Sequence, residues 1–191
     1  MKKYWINRLS IGVQTFDNDI LKKINRTYSK DVILDVLKTA NEAWFHNINI
    51  DMIYGLPGSN YENMKIDLDI VKNLNITHVT YYPLYYYEES ILSKTGNTYD
   101  NIDLIYSFYN EVTSSLVEKW FEQYGREYFC KDSLIHHYQN NYVSNKILYG
   151  FWHSAYSFNG EQTFYKEQDL KKYMTNTENI RKIYHYNNEN F

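Results

Sequence analysis

The chain is 191 residues long, 43% hydrophobic and 23% charged, a size and balance that suit one ordinary folding domain with a packed core. Its formal net charge is −3, and its basic stretches do not exceed the pairs Lys2-Lys3, Lys22-Lys23 and Lys171-Lys172, so no clustered positive surface is expected and nucleic acid is not an expected partner. No run of about 18 apolar residues is present and Met1-Lys2-Lys3 leads into no apolar signal segment, so a membrane span is not expected and a cytoplasmic protein is the default.

Arg8 to Val13 alternates polar and apolar residues, a strand period. A short helix fits Asp17 to Ile24. A longer helix is predicted after Ser29, a natural N-cap, with Asp31 in the first turn and Val32, Ile33, Val36, Leu37, Ala40 and Trp44 as the apolar stripe. The next strand runs from Asn47 to Tyr54, with Ile48, Ile50 and Met52 on one face and Asn47, Asn49 and Asp51 on the other. Gly55-Leu56-Pro57-Gly58 breaks it, and Ser59-Asn60-Tyr61-Glu62 reads as a capping box for a helix that buries Met64, Leu68, Val71 and Leu74. A third strand, about 77–82, ends at Pro83-Leu84.

Strands alternating with helices imply parallel pairing with right-handed crossovers, so residues 1–95 are expected to form an α/β fold, a partial (β/α) barrel of about three units. Ligands of such barrels sit at the carboxyl ends of the strands, where Gln14, Asp51 and the Tyr81–Leu84 segment would lie. Residues 96–175 are expected to form a smaller α+β part. It begins with one long helix from Asp100 to Tyr124, with Leu104, Phe108, Val112, Leu116 and Trp120 on its stripe and Gly125 just past its end. Short strands or loops around 127–130 and 148–158, a helix near 168–174 and a polar, frayed tail over 176–191 complete the reading.

Four segments carry a resemblance. They are Arg8-Leu9-Ser10-Ile11-Gly12-Val13-Gln14-Thr15-Phe16-Asp17, then Arg26 within Ile24 to Ser29, then Asn47 through Asp51 to Gly58, and His78-Val79-Thr80-Tyr81-Tyr82-Pro83-Leu84. In order and spacing they resemble radical S-adenosylmethionine (SAM) proteins of the oxygen-independent coproporphyrinogen III oxidase-like family, which includes heme chaperones. The resemblance implies SAM bound beside a four-iron four-sulfur cluster, radical chemistry, and a porphyrin or other small-molecule partner. Gln14, Arg26 and Asp51 match family positions that contact SAM. Their chemistry suits it: Arg26 could fork onto the ligand's carboxylate, Asp51 could accept from hydroxyl or amino groups, and Gln14 can donate and accept. Gly55 and Gly58 would let the chain approach a ligand closely. The alternative is a structural network joining Asp51, Arg26 and Asn49, and a plain turn at the glycines.

The pattern also departs from the family. Its cluster ligands, three cysteines spaced C-x₃-C-x₂-C, and its Gly-Gly-Thr-Pro loop are not among these residues, and Cys130 is the single cysteine. The expectation is therefore a partial chain, inert alone, completed by a separately encoded N-terminal half or prone to self-association. Trp152 and Ser154 stand where the family has glycines. His136, His137 and His153 are candidates for heme or porphyrin contact in an alternative reading as a non-catalytic heme carrier, against a plain structural role for each.

Overall fold

The computed structural model describes residues 5–85, 102–175 and 180–185. They fall into two compact units, Met1–Leu134 and Ile135–Phe191. The boundary expected near residue 95 lies outside the described residues.

In the first unit, β1 (Arg8–Gln14), β2 (Asn47–Tyr54) and β3 (His78–Pro83) pair in parallel. Helices α1 (Asn18–Lys23) and α2 (Lys30–Glu42) connect β1 to β2, and α3 (Tyr61–Lys72) connects β2 to β3. This is the partial β/α fold expected. The pairing sets Gly12 beside Asp51 and Asp51 beside Thr80. Alternation then separates two faces. Val13, Ile48, Ile50, Met52, Val79 and Tyr81 pack into one apolar core with the helices, while Ser10, Asn49, Asp51 and Thr80 share the opposite face, hereafter the front.

Local signals hold with shifts. Asp17 caps α1 by accepting from the Asp19 and Ile20 amides. Ser29 is the N-cap of α2 but makes no side-chain cap bond; the Lys30 amide donates instead to the Asn18 side chain at 2.8 Å. Only Ile33, Leu37 and Ala40 of the expected α2 stripe are buried, because the helix touches the sheet along a narrow line and leaves Val32, Val36 and Trp44 in solvent. The capping box of α3 is one residue later than predicted, between Asn60 and Asn63.

The sheet continues beyond β3. After α4 (Ile102–Val117) come β4 (Glu122–Gly125) and β5 (Tyr128–Cys130), and the order is β1-β2-β3-β5-β4, with the last two antiparallel. The helix predicted to reach Tyr124 stops at Val117, since Trp120 takes a left-handed φ of 68° and points to solvent while Phe121 is buried. Gly125 lies in β4 rather than past a helix end.

The second unit holds α5 (His137–Val143), the antiparallel sheet β6 (Tyr156–Phe158), β7 (Gln162–Lys166) and β8 (Ile180–His185), and α6 (Leu170–Thr175). Residues 180–185, expected within a frayed tail, are therefore paired strand.

Candidate cofactor-binding site

The front face is built around Asn49, which is 2% exposed. Its amide donates to the Ser10 hydroxyl at 2.6 Å and to Asp51 Oδ1 at 2.9 Å, and its carbonyl accepts from the Thr80 hydroxyl at 3.0 Å. Ser10 also reaches Asp51 Oδ2 at 3.3 Å. Asp51 is thus aimed by neighbours on two strands and remains half-buried, with acceptor capacity left for a ligand.

Gln14 comes to the same place by an unusual backbone. Its φ is 66°, and its side chain turns back along its own strand. With the amide oriented to suit its neighbours, the Gln14 nitrogen donates to the Tyr28 hydroxyl, which donates to the Gly12 carbonyl at 3.0 Å. The amide lies across Gly12 so closely that a Cβ there would stand 2.8 Å from it. Gly12, the ladder partner of Asp51, is thereby the residue that leaves room for the Gln14 amide, and nothing in the strand alternation announced it.

Arg26 sits on the loop between α1 and α2. Tyr28, two residues on, ties this loop to the carboxyl end of β1. Its side chain is exposed and, among the described residues, makes no hydrogen bond or ion pair, with Asp51 or any other group. The network predicted as an alternative is half present: Asn49 holds Asp51, and Arg26 takes no part. Gly55 and Gly58 both have positive φ, 77° and 79°, so the loop after β2 needs them for its turn, and Lys23 packs over Gly58.

Deeper on the front face are groups the sequence reading passed over. His78 is fully buried, its ring between the Thr77 hydroxyl and the Leu134 carbonyl, and burial lowers its pKa. Among the described residues the buried Arg8 Nε has no hydrogen-bond partner, and burial likewise lowers the guanidinium pKa, against the pull of Tyr124 and Asp51. A groove of about 480 Å³ lies at the opposite, amino end of the strands, lined by Trp5, Trp44, His46 and Asn47 among others, away from Gln14 and Asp51.

The candidate histidines belong to the second unit. His136 is the N-cap of α5, and His137 is its exposed first residue. His153 has its ring 5.7 Å from Trp152 and 6.3 Å from Tyr173. Trp152 and Ser154, at expected glycine positions, keep positive φ values of 130° and 61°. Among the described residues no group of three or more His, Cys, Asp or Glu is arranged for a metal ion, and no helix is long and apolar enough to cross a membrane.

The chain resembles known proteins over much of its length. Residues 1–71 match the model of the radical SAM superfamily. The heme chaperone HemW of Lactococcus lactis is 44% identical over 79 residues, covering 41% of this chain and 21% of that protein. HemW of Bacillus subtilis is 27% identical over 164 residues, 84% of this chain and 43% of that protein. The solved coproporphyrinogen III oxidase (HemN) of Escherichia coli, a radical SAM enzyme, superposes with a TM-score of 0.77 at 20% identity, over 97% of this chain and 47% of that one. The chain thus spans less than half the length of each of these relatives. Over residues 1–71 the chain is similar to the radical SAM superfamily, and among its relatives are HemW and the oxygen-independent coproporphyrinogen III oxidases.

Proposed function

We propose that the front face of the first sheet binds SAM, with Gln14, Arg26 and Asp51 as its polar contacts and the Gly55–Gly58 loop at its edge, and that the chain serves porphyrin or heme metabolism. The observation carrying this reading is the Gln14 amide laid across Gly12 next to an Asp51 already aimed by Asn49 and Ser10. Asp51 suits ligand hydroxyl or amino protons, and the unpaired Arg26 guanidinium suits a carboxylate. SAM would supply a 5′-deoxyadenosyl radical there only with one electron from an iron–sulfur cluster.

The iron–sulfur cluster of the family does not fit these residues. It requires several thiolates, and Cys130 is the single cysteine; its thiol is buried and pushed up to about 11 by that burial, with Glu122 and Asp132 adding to it. In this reading the thiolates come from residues outside this sequence, and these 191 residues by themselves hold no cluster. Calorimetry with SAM tests the site: the Asp51→Ala variant is expected to bind at least about tenfold more weakly than the natural chain, about 1.4 kcal/mol. Equal affinity would overturn it.

A second reading, a heme or porphyrin carrier, is favoured by one observation. His153 lies beside Trp152 and Tyr173 in the second unit, and Trp152 and neighbouring Phe151 are exposed. Such rings suit a flat macrocycle. Heme titration is expected to move the Soret band in the natural chain and not in His153→Ala; an unchanged response in the variant, or in one also lacking His136 and His137, would remove this reading.

A further inference from the structure

The turn that presents Gln14 is held from behind the sheet by one carboxylate. Asp67, on α3, is 4% exposed; it accepts from the Phe16 amide at 2.8 Å and is hydrogen-bonded by the Thr15 side chain. Thr15 and Phe16 are the two residues directly after Gln14, and the Thr15 amide already closes back onto the Val13 carbonyl at 2.9 Å. The left-handed Gln14 is therefore pinned on its carboxyl side by a group that touches no part of the front face.

The surroundings of Asp67 bear on its charge. Asp17 at the N-cap of α1, Lys30 at the start of α2 and Tyr81 on β3 act on it electrostatically, and α4 contributes the apolar Phe108. Among the described residues the buried Tyr81 hydroxyl has no hydrogen-bond partner, and Thr15, Asp67 and Tyr81 line a void of about 10 Å³. A neutral amide side chain would accept the Phe16 N–H without burying a charge. Burial pushes the Asp67 carboxyl up to about 6, and the bonds from Phe16 and Thr15 pull it back only in part.

We propose that Asp67 is a positioning residue: its carboxylate fixes the backbone that lays the Gln14 amide over Gly12, and its protonation loosens that turn and weakens ligand binding on the front face. This rests on the reading of that face as a SAM site. Ionised, Asp67 only accepts, and both donors of the turn converge on it; protonated, it is a weaker acceptor, and its new O–H has the Tyr81 hydroxyl to turn to.

The test uses the full chain with two readouts. The Phe16 amide resonance, followed by NMR from pH 4.5 to 8, is expected to titrate once with a midpoint near 6 and to stay flat in Asp67→Asn. SAM affinity by calorimetry is expected to fall about tenfold from pH 8 to pH 5 in the natural chain, and to be weak at both pH values in Asp67→Asn. A Phe16 resonance that does not move, or SAM affinity with the same pH profile in both proteins, overturns the proposal. A titrating Phe16 amide with no SAM binding at any pH supports the clamp and removes the ligand reading instead. Should Asp67→Asn fail to fold, Thr15→Val is the second variant; it is expected to shift the Phe16 midpoint upward, and an unshifted midpoint counts against the clamp.

Discussion

The two units handle their chemistry-bearing side chains in opposite ways. On the front face of the first sheet, Ser10, Asn49, Asp51 and Thr80 complete one another's hydrogen bonds across three strands, so the polar groups hold their geometry before any ligand arrives. In the second unit, His136 and His137 lie at the start of a seven-residue helix with no buried residue, and His153 is steadied by ring contacts and a 3.4 Å approach of the Ser154 hydroxyl. A side chain aimed by several buried partners can discriminate among ligands, while one leaning on exposed rings provides area more than direction.

The largest expected effect strikes the centre of that network. Asn49→Leu leaves the buried Thr80 hydroxyl without its acceptor and Asp51 without its main donor, and chemical denaturation is expected to show a loss of about 3–4 kcal/mol. A loss below about 1 kcal/mol would mean the front face is no better organised than the second unit.

Asp67→Asn should act with the opposite sign. The folded carboxyl titrates near 6, above its ordinary 3.8, so the folded state binds this proton more tightly than the unfolded chain does. The group's contribution to stability is then fullest below about pH 4 and declines as pH rises to about 6. Above pH 6 the buried charge costs up to about 3 kcal/mol. The variant is accordingly expected to be more stable than the natural chain at pH 7, by up to that amount, with the gap closing toward pH 4. A gap that widens on acidification would refute the assignment. Together with the proposed loss of ligand affinity, this would mark Asp67 as a group kept for function against stability.

The smallest effect tests the second unit. Trp152 holds a φ of 130°, a region in which a bulky side chain is strained, and Trp152→Gly should raise stability by about 1 kcal/mol once the lost ring contacts with His153 and Tyr173 are counted. A clear loss in thermal midpoint would show that the aromatic cluster contributes more than it releases in strain.

Much of the first unit was legible in the residues. The alternation from Asn47 to Tyr54 assigned both faces of β2, and the βαβ rhythm implied parallel strands; Gln14 does end β1, while Asp51 stands three residues before the end of β2. The part that escaped was contact across the chain. Asn49 and Ser10 are 39 positions apart, and Asp67 and Phe16 are 51 apart. The helical period of α3 does place Asp67 on the buried stripe with Met64, Leu68 and Val71, but it does not show that the carboxylate meets the Phe16 amide there. The α4 stripe misled for the same reason: four-residue spacing continues to Trp120, but Phe121 fits the core and the helix unwinds to deliver it.

The order of residues by itself determined the strand–helix alternation, the family resemblance and the absence of enough cysteines for a cluster, because each depends on near neighbours or on counting. The tertiary structure alone decided that Gln14 folds back across Gly12, that Asn49 aims Asp51 while Arg26 remains unpaired, and that a buried carboxylate holds the turn from behind. These depend on strand register and on the burial of one helix face, and both are set by the packing of segments far apart along the chain.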